Sequence, residues 1–109
     1  MAVPARSTTE RTEALNHALE ARRRRAAVKA ALKDRQLDLI DVFEMAEEDP
    51  VLMRTRVVDL LCSLPRVGPK TALRIMTQAD ISESRRVQGL GIRQREELVA
   101  IIGSTKKGT

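Results

Sequence analysis

The sequence predicts an all-α fold, a long N-terminal helix followed by a compact helical domain, and three observations carry that reading. No segment alternates apolar and polar residues in the way a half-buried strand does. Residues 10–33 contain neither glycine nor proline and consist mainly of Ala, Leu, Arg, Lys and Glu, which are strong helix formers. Aromatic residues make up 1% of the chain, with Phe43 alone, so the residue types that strands favour are scarce.

Residues 1–8 contain Pro4 and a Ser-Thr-Thr run and read as a flexible arm. Ser7-Thr8-Thr9-Glu10 has capping-box spacing, so the first helix begins near Thr9 and is expected to cover 9–34. Its apolar pattern is split. Leu15 and Leu19 share one face, whereas Val28 and Leu32 share another. At about 100° per residue, the step from Leu19 to Val28 places the two pairs on opposite sides. A flat core can take only one pair, so the Val28–Leu32 end docks and the earlier turns project beyond the body.

Asp38 caps a second helix with Leu39, Val42, Phe43 and Ala46 on one face. Asp49-Pro50 is an N-cap followed by proline at the first helical position, which starts a short third helix. Val57, Val58, Leu61 and Leu64 mark a fourth, ended by Pro65. Ala72, Leu73, Ile75, Met76 and Ala79 mark a fifth, and Leu98, Val99, Ile101 and Ile102 a sixth that starts near Arg93. The helical domain is thus expected over 35–103, with a flexible tail at 104–109. There is no internal repeat.

Composition narrows the function. A length of 109 residues with 42% hydrophobic content allows one domain with a core. The near-absence of aromatics argues against stacking platforms for single strands. A single cysteine, Cys62, excludes an internal disulfide framework and a multi-cysteine zinc site. No apolar run approaches the roughly 20 residues of a membrane span, and no signal-peptide core is present. A small, basic, cytoplasmic protein without membrane partners is expected.

The net charge of +5 is less informative than its distribution. Residues 11–33 carry seven basic against two acidic residues, 34–50 carry one against seven, and 65–95 carry seven against two. Two basic blocks flanking an acidic one would grip a polyanion while the acidic block faces away. The most informative stretch is Leu64-Pro65-Arg66-Val67-Gly68-Pro69-Lys70-Thr71-Ala72. A helix stops at Pro65, the chain turns at Gly68, and Pro69 pre-sets φ for a new helix. The N–H groups of Lys70 and Thr71 then point out of the positive helix end, a seat suited to phosphate, with Arg66 and Lys70 supplying charge. A bare structural corner is the competing reading of the same residues.

This stretch resembles the hairpin of helix-hairpin-helix modules, which hold a DNA backbone without reading bases. The segment that follows, Asp80 to Gly91, joins two helices by two turns, with Arg85-Arg86 in the first and Gly89 and Gly91 in the second. Ile81, Val87 and Leu90 are spaced to plug these turns into the core and leave the arginines outside. Residues 65–103 thereby resemble the helix-two-turns-helix module of some DNA glycosylases and of a small-subunit ribosomal protein.

Over residues 12–103 the chain resembles the actinobacterial integration host factor family more closely still. The resemblance rests on the basic helix around Arg22 to Arg25, on Val57 to Leu64 and Pro65-Arg66-Val67-Gly68, and on Ile75-Met76-Thr77 and Arg85-Arg86. Gly89-Leu90-Gly91 and Arg93-Gln94-Arg95 complete it. Pro69, Thr71, Gln88 and Ile92 depart from the family pattern. The resemblance implies a nucleoid-associated protein that binds and bends duplex DNA with weak sequence preference. It also implies assistance to site-specific recombination, alongside recombinase complexes, and to DNA compaction and transcription regulation. The chain is expected to be monomeric when free.

The residues expected to meet DNA fall in four groups. Arg22, Arg23 and Arg25 lie on the first helix, and Arg54 and Arg56 ahead of the fourth. Arg66, Gly68, Lys70, Thr71 and Arg74 surround the hairpin. Arg85, Arg86, Gly89, Gly91, Arg93 and Arg95 belong to the second pair of turns and the sixth helix. No catalytic residue, metal site or cofactor is expected. Cys62 has no second cysteine or nearby histidine and reads as a buried structural thiol, and His17 as solvent-exposed. A glycosylase would need a base-flipping pocket that one aromatic in 109 residues does not furnish. Two further readings stay open at this level: an RNA- or ribosome-associated protein, and a module whose basic face binds an acidic protein.

Overall fold

The computed structural model describes residues 8–107. The chain runs α1 (Thr8–Lys33), α2 (Leu39–Ala46), α3 (Pro50–Met53), α4 (Val57–Cys62), α5 (Pro69–Gln78), a single 3₁₀ turn (Val87–Gly89) and α6 (Ile92–Ile102). Among the described residues there is no strand, only an isolated antiparallel bridge between Arg56 and Arg86. The fold is all-α, as the periodicity predicts. The expected arm lies, apart from Thr8, outside the described residues. Among those residues no helix is long and apolar enough to cross a membrane.

The split pattern of α1 has the predicted consequence. Val28 and Leu32 are buried, whereas Leu15 and Leu19 are exposed. Every residue from 8 to 20 is exposed, so the N-terminal half of α1 extends beyond the body and the molecule measures 59 × 30 × 25 Å. An ion pair holds it near the junction: Arg24 Nε donates to Asp49 Oδ2 at 2.5 Å. Asp49 also accepts from the Val51 amide with its other oxygen and so caps α3. One carboxylate starts a helix and tethers another.

Leu39, Val42, Phe43 and Ala46 of α2, Leu60 and Leu61 of α4, and Ala72, Ile75 and Met76 of α5 fill the core. Leu98 of α6 closes it, fully buried. The two-turn segment plugs in through Ile81, Val87 and Leu90, all buried as their spacing predicts. Cys62 corrects the sequence reading: it is half-buried at the core's edge, because it ends α4 on the flank beside the inward-facing Leu61.

The C-terminal segment also differs from expectation. Residues 104–107 run back over the α1–α2 corner instead of fraying. Lys106 Nζ donates to Asp41 Oδ2 at 3.0 Å, and the Lys107 amide donates to the Arg35 carbonyl at 2.6 Å. The attraction is local and electrostatic, because Asp41 already belongs to a capping box. The Asp41 amide donates to Asp38 Oδ1, and the Asp38 amide to Asp41 Oδ2, both at 3.0 Å.

The Asp38 amide first, and then the Lys106 ammonium, hold the Asp41 carboxyl below its ordinary pKa of 3.8. A carboxyl with a lower folded than unfolded pKa adds stability above the unfolded value and loses it as pH falls through the folded one. The destabilisation by Asp41→Asn, read from the urea midpoint, should therefore be largest near neutral pH and shrink below pH 3.8.

Candidate nucleic-acid interface

The hairpin before α5 is built by two reversals of the chain. Val67 N–H donates to the Leu64 carbonyl at 3.2 Å, and Arg66 between them has a left-handed φ of 65°. The sharp turn thus belongs to Arg66 and not, as the sequence reading had it, to Gly68. Gly68 sits at the N-cap with an extended backbone, φ −92° and ψ 178°. Its contribution is space: a Cβ placed there would meet nothing within 4 Å.

Pro69 opens α5 and has no N–H to leave unpaired. The first intrahelical bond of α5 runs from the Ala72 amide to the Gly68 carbonyl at 2.9 Å. The Lys70 and Thr71 amides precede it and have no intrahelical acceptor. No side chain caps this end and no carboxylate lies in its first turn. Gly68, Pro69 and Lys70 are exposed and Thr71 is half-buried. Arg66, three residues ahead of Pro69, and Arg74, one turn beyond Lys70, are both exposed. The result is an open, positive helix end with three exposed cations close by in sequence.

The second pair of turns is held to the α3–α4 junction by main-chain pairing. The Val57 amide donates to the Arg85 carbonyl, and the Val87 amide to the Thr55 carbonyl, both at 3.0 Å. Arg86 Nη1 donates to the Arg54 carbonyl at 2.6 Å. This pairing gathers Arg54, Arg56 and Arg86, all exposed, into one cluster. Nothing in the sequence announces it, since Arg56 and Arg86 lie 30 residues apart.

Arg85 behaves differently from the expected outward arginine. It is half-buried, and its Nη1 donates to the Gly89 carbonyl at 2.7 Å. A Cβ on Gly89 would stand 2.8 Å from Arg85 Cδ, so glycine at 89 is what lets Arg85 cross the turn. Gly91 caps α6; its amide donates to Gln94 Oε1, while Gln94 Nε2 donates to the Asp80 carbonyl at 3.0 Å. Gln94 thereby locks the start of α6 to the end of α5, a role the sequence reading missed. Arg93 stays exposed beside it.

Arg95, expected among the DNA contacts, has a partner inside the fold. Its guanidinium carbon lies 5.5 Å from the centre of the Phe43 ring, and Arg95 lines a cavity with Ile40, Phe43, Glu44 and Glu47. The aromatic face meets it there, a cation–π contact worth about 0.5–1 kcal/mol, while its Nε is buried without a hydrogen-bond partner. On α1, Arg22 and Arg23 are exposed and Arg25 is half-buried. Among the described residues no three His, Cys, Asp or Glu side chains gather to hold a metal ion.

Known proteins resemble this chain over most of its length. The model of the S13-like H2TH domain matches residues 32–101. A protein named integration host factor from Mycobacterium tuberculosis is 43% identical over 104 residues, covering 95% of this chain and 99% of its own. One of the same name from Streptomyces coelicolor is 44% identical over 105 residues, covering 96% and 98%. Among solved structures, one described as sIHF bound to an 8 bp palindromic DNA superposes with a TM-score of 0.78 at 43% identity. It covers 81% of this chain and 99% of that one.

The crossing of Arg85 over Gly89 is testable in isolation. Gly89→Ala should expel the arginine and cost about 1 kcal/mol, the net worth of the lost hydrogen bond. Arg85→Ala should cost a similar amount, and the double variant little more than either. Denaturant unfolding of all four proteins closes the cycle.

Proposed function

The chain belongs to the integration host factor family of actinobacteria, and from that premise we propose that it binds and bends duplex DNA through its sugar–phosphate backbone. Membership makes it a binding protein and not an enzyme. The observation that carries the proposal is the uncapped, exposed start of α5, flanked by Arg66, Lys70 and Arg74. An anion there gains the helix dipole and two free amides at once. The related sIHF structure contains an 8 bp palindromic DNA, which makes duplex DNA the polyanion of choice for this chain too.

In this reading one phosphate of the strand sits at Gly68, Lys70 and Thr71. Arg54, Arg56 and Arg86 meet neighbouring phosphates, joined by Arg93 and the amides around Gly89 and Gly91. Arg85 acts on the DNA mainly by shaping the turn, and Arg95 is left out. Arg22, Arg23 and Arg25 extend the contact along α1. Phosphate contacts position the protein without reading sequence, so preference for particular sites is weak. Bending costs roughly 1–6 kcal/mol and is offset only if α1 and the hairpin grip the same duplex together. A monomer that bends DNA in this way would serve the nucleoid in compaction, transcription control and recombinase complexes.

Lys70 is the cleanest probe, because its side chain is exposed and has no partner among the described residues. Lys70→Ala should weaken binding to two unrelated duplexes equally and flatten the dependence of log K on log salt by about 0.9. Loss at one sequence only would contradict backbone binding. Stronger competition by A-form RNA than by duplex DNA would replace it with the RNA-associated reading, and circular permutation of the site measures the bend.

A further inference from the structure

We infer that a second phosphate-binding site lies where the returning C-terminal segment meets the hairpin, formed by Arg35, Arg66 and Lys106. The inference rests on the DNA-binding reading and extends it to Arg35 and Lys106, which the family resemblance does not mark. These three side chains, with Pro65, Ser104 and Thr105, line one cavity of about 270 Å³. No ion pair engages Arg35 or Arg66 among the described residues, and Lys106 alone has an acidic partner, Asp41. The lining itself carries three cations and no carboxylate; Asp41 pairs with Lys106, and Asp38 and Glu44 lie near it.

Its construction argues for a ligand. Arg35 and Arg66 both hold left-handed backbone, φ 61° and 65°. Glycine and asparagine occupy that region most readily; of the three other described residues that hold it, Arg35, Arg66 and Asp80, the two arginines line the same cavity. Strain of this kind, kept at two cations that share a pocket, is a feature of binding sites. The Thr105 hydroxyl oxygen is buried without a hydrogen-bond partner, a defect that an entering oxyanion would relieve after rotation about χ1. Arg66 belongs to both this cavity and the α5 opening, so a strand seated at Lys70 and Thr71 has its next phosphate within the arginine's reach. The Lys107 amide, bonded to the Arg35 carbonyl, and the Lys106 ammonium, bonded to Asp41, keep Lys106 at the rim.

The left-handed φ supplies an unusual test. Arg35→Gly removes the charge while fitting the backbone better, so its thermal midpoint should stay within a degree or two of wild type or rise. Its affinity for two unrelated duplexes should nevertheless fall several-fold at about 0.1 M salt, with the salt slope flatter by about 0.9. In a second arm, inorganic phosphate is titrated into the labelled full chain at low salt and the amides of residues 35, 66 and 105–106 are followed. Weaker duplex binding by Arg35→Gly identifies the DNA backbone as the source of the phosphate. Saturable shifts with inorganic phosphate that Arg35→Gly abolishes, at unchanged duplex affinity, identify free phosphate. Absence of both effects overturns the site. If the wild type binds no duplex at all, the DNA reading fails and the phosphate arm still decides the pocket.

Discussion

Every α-helix begins with N–H groups that have no intrahelical acceptor, and how each helix of this chain satisfies them determines its role. The start of α2 is closed by the reciprocal Asp38–Asp41 box, and α3 by Asp49. The first amide of α4 donates to the Arg85 carbonyl, and the α6 cap to Gln94. Each of these bonds also draws distant segments together: Asp49 holds α1, Arg85 holds the two-turn segment, and Gln94 holds α5. At α5 and α6 no side chain accepts from the first-turn amides and no carboxylate lies in that turn; α5 differs in opening on Pro69, and its N-cap amide is not tied down as that of Gly91 is by Gln94. That open start is what the proposed anion seat rests on.

The arginines divide along the same line. Arg24 is spent on Asp49, Arg85 on the Gly89 carbonyl and Arg95 on Phe43, so these three hold the fold together. Arg86 does both kinds of work, since one nitrogen reaches the Arg54 carbonyl while the side chain stays exposed. Arg66, Lys70 and Arg74 have no internal partner among the described residues and keep their full charge for a ligand. The acidic block is likewise only partly a solvated face. Asp38, Asp41 and Asp49 are caps, and Asp41 additionally anchors Lys106.

The features legible in the sequence are those set by near neighbours. Asp38, Asp49-Pro50 and Gly68-Pro69 announce helix starts because a cap acts within three residues of its own position. The phase difference between Leu15–Leu19 and Val28–Leu32 announces a projecting helix because 3.6-residue geometry is local too. What stayed hidden depends on partners remote in sequence. The Arg56–Arg86 pairing, the inward turn of Arg95 onto Phe43 and the return of Lys106 to Asp41 leave no trace in spacing or composition. Cys62 was misplaced because helical phase separates inside from outside but not core from rim. The candidate DNA-contacting residues were legible as charges, yet their division into structural and free required the carbonyls and rings they touch.

The central claim concerns two main-chain hydrogens, so the most direct measurement observes them. In a labelled sample titrated with a short duplex at moderate salt, the amide protons of Lys70 and Thr71 should show the largest downfield shifts in the spectrum, as new hydrogen bonds to phosphate oxygen require. Unmoved resonances at 70 and 71, with the changes confined to the Phe43–Arg95 face, would contradict the account.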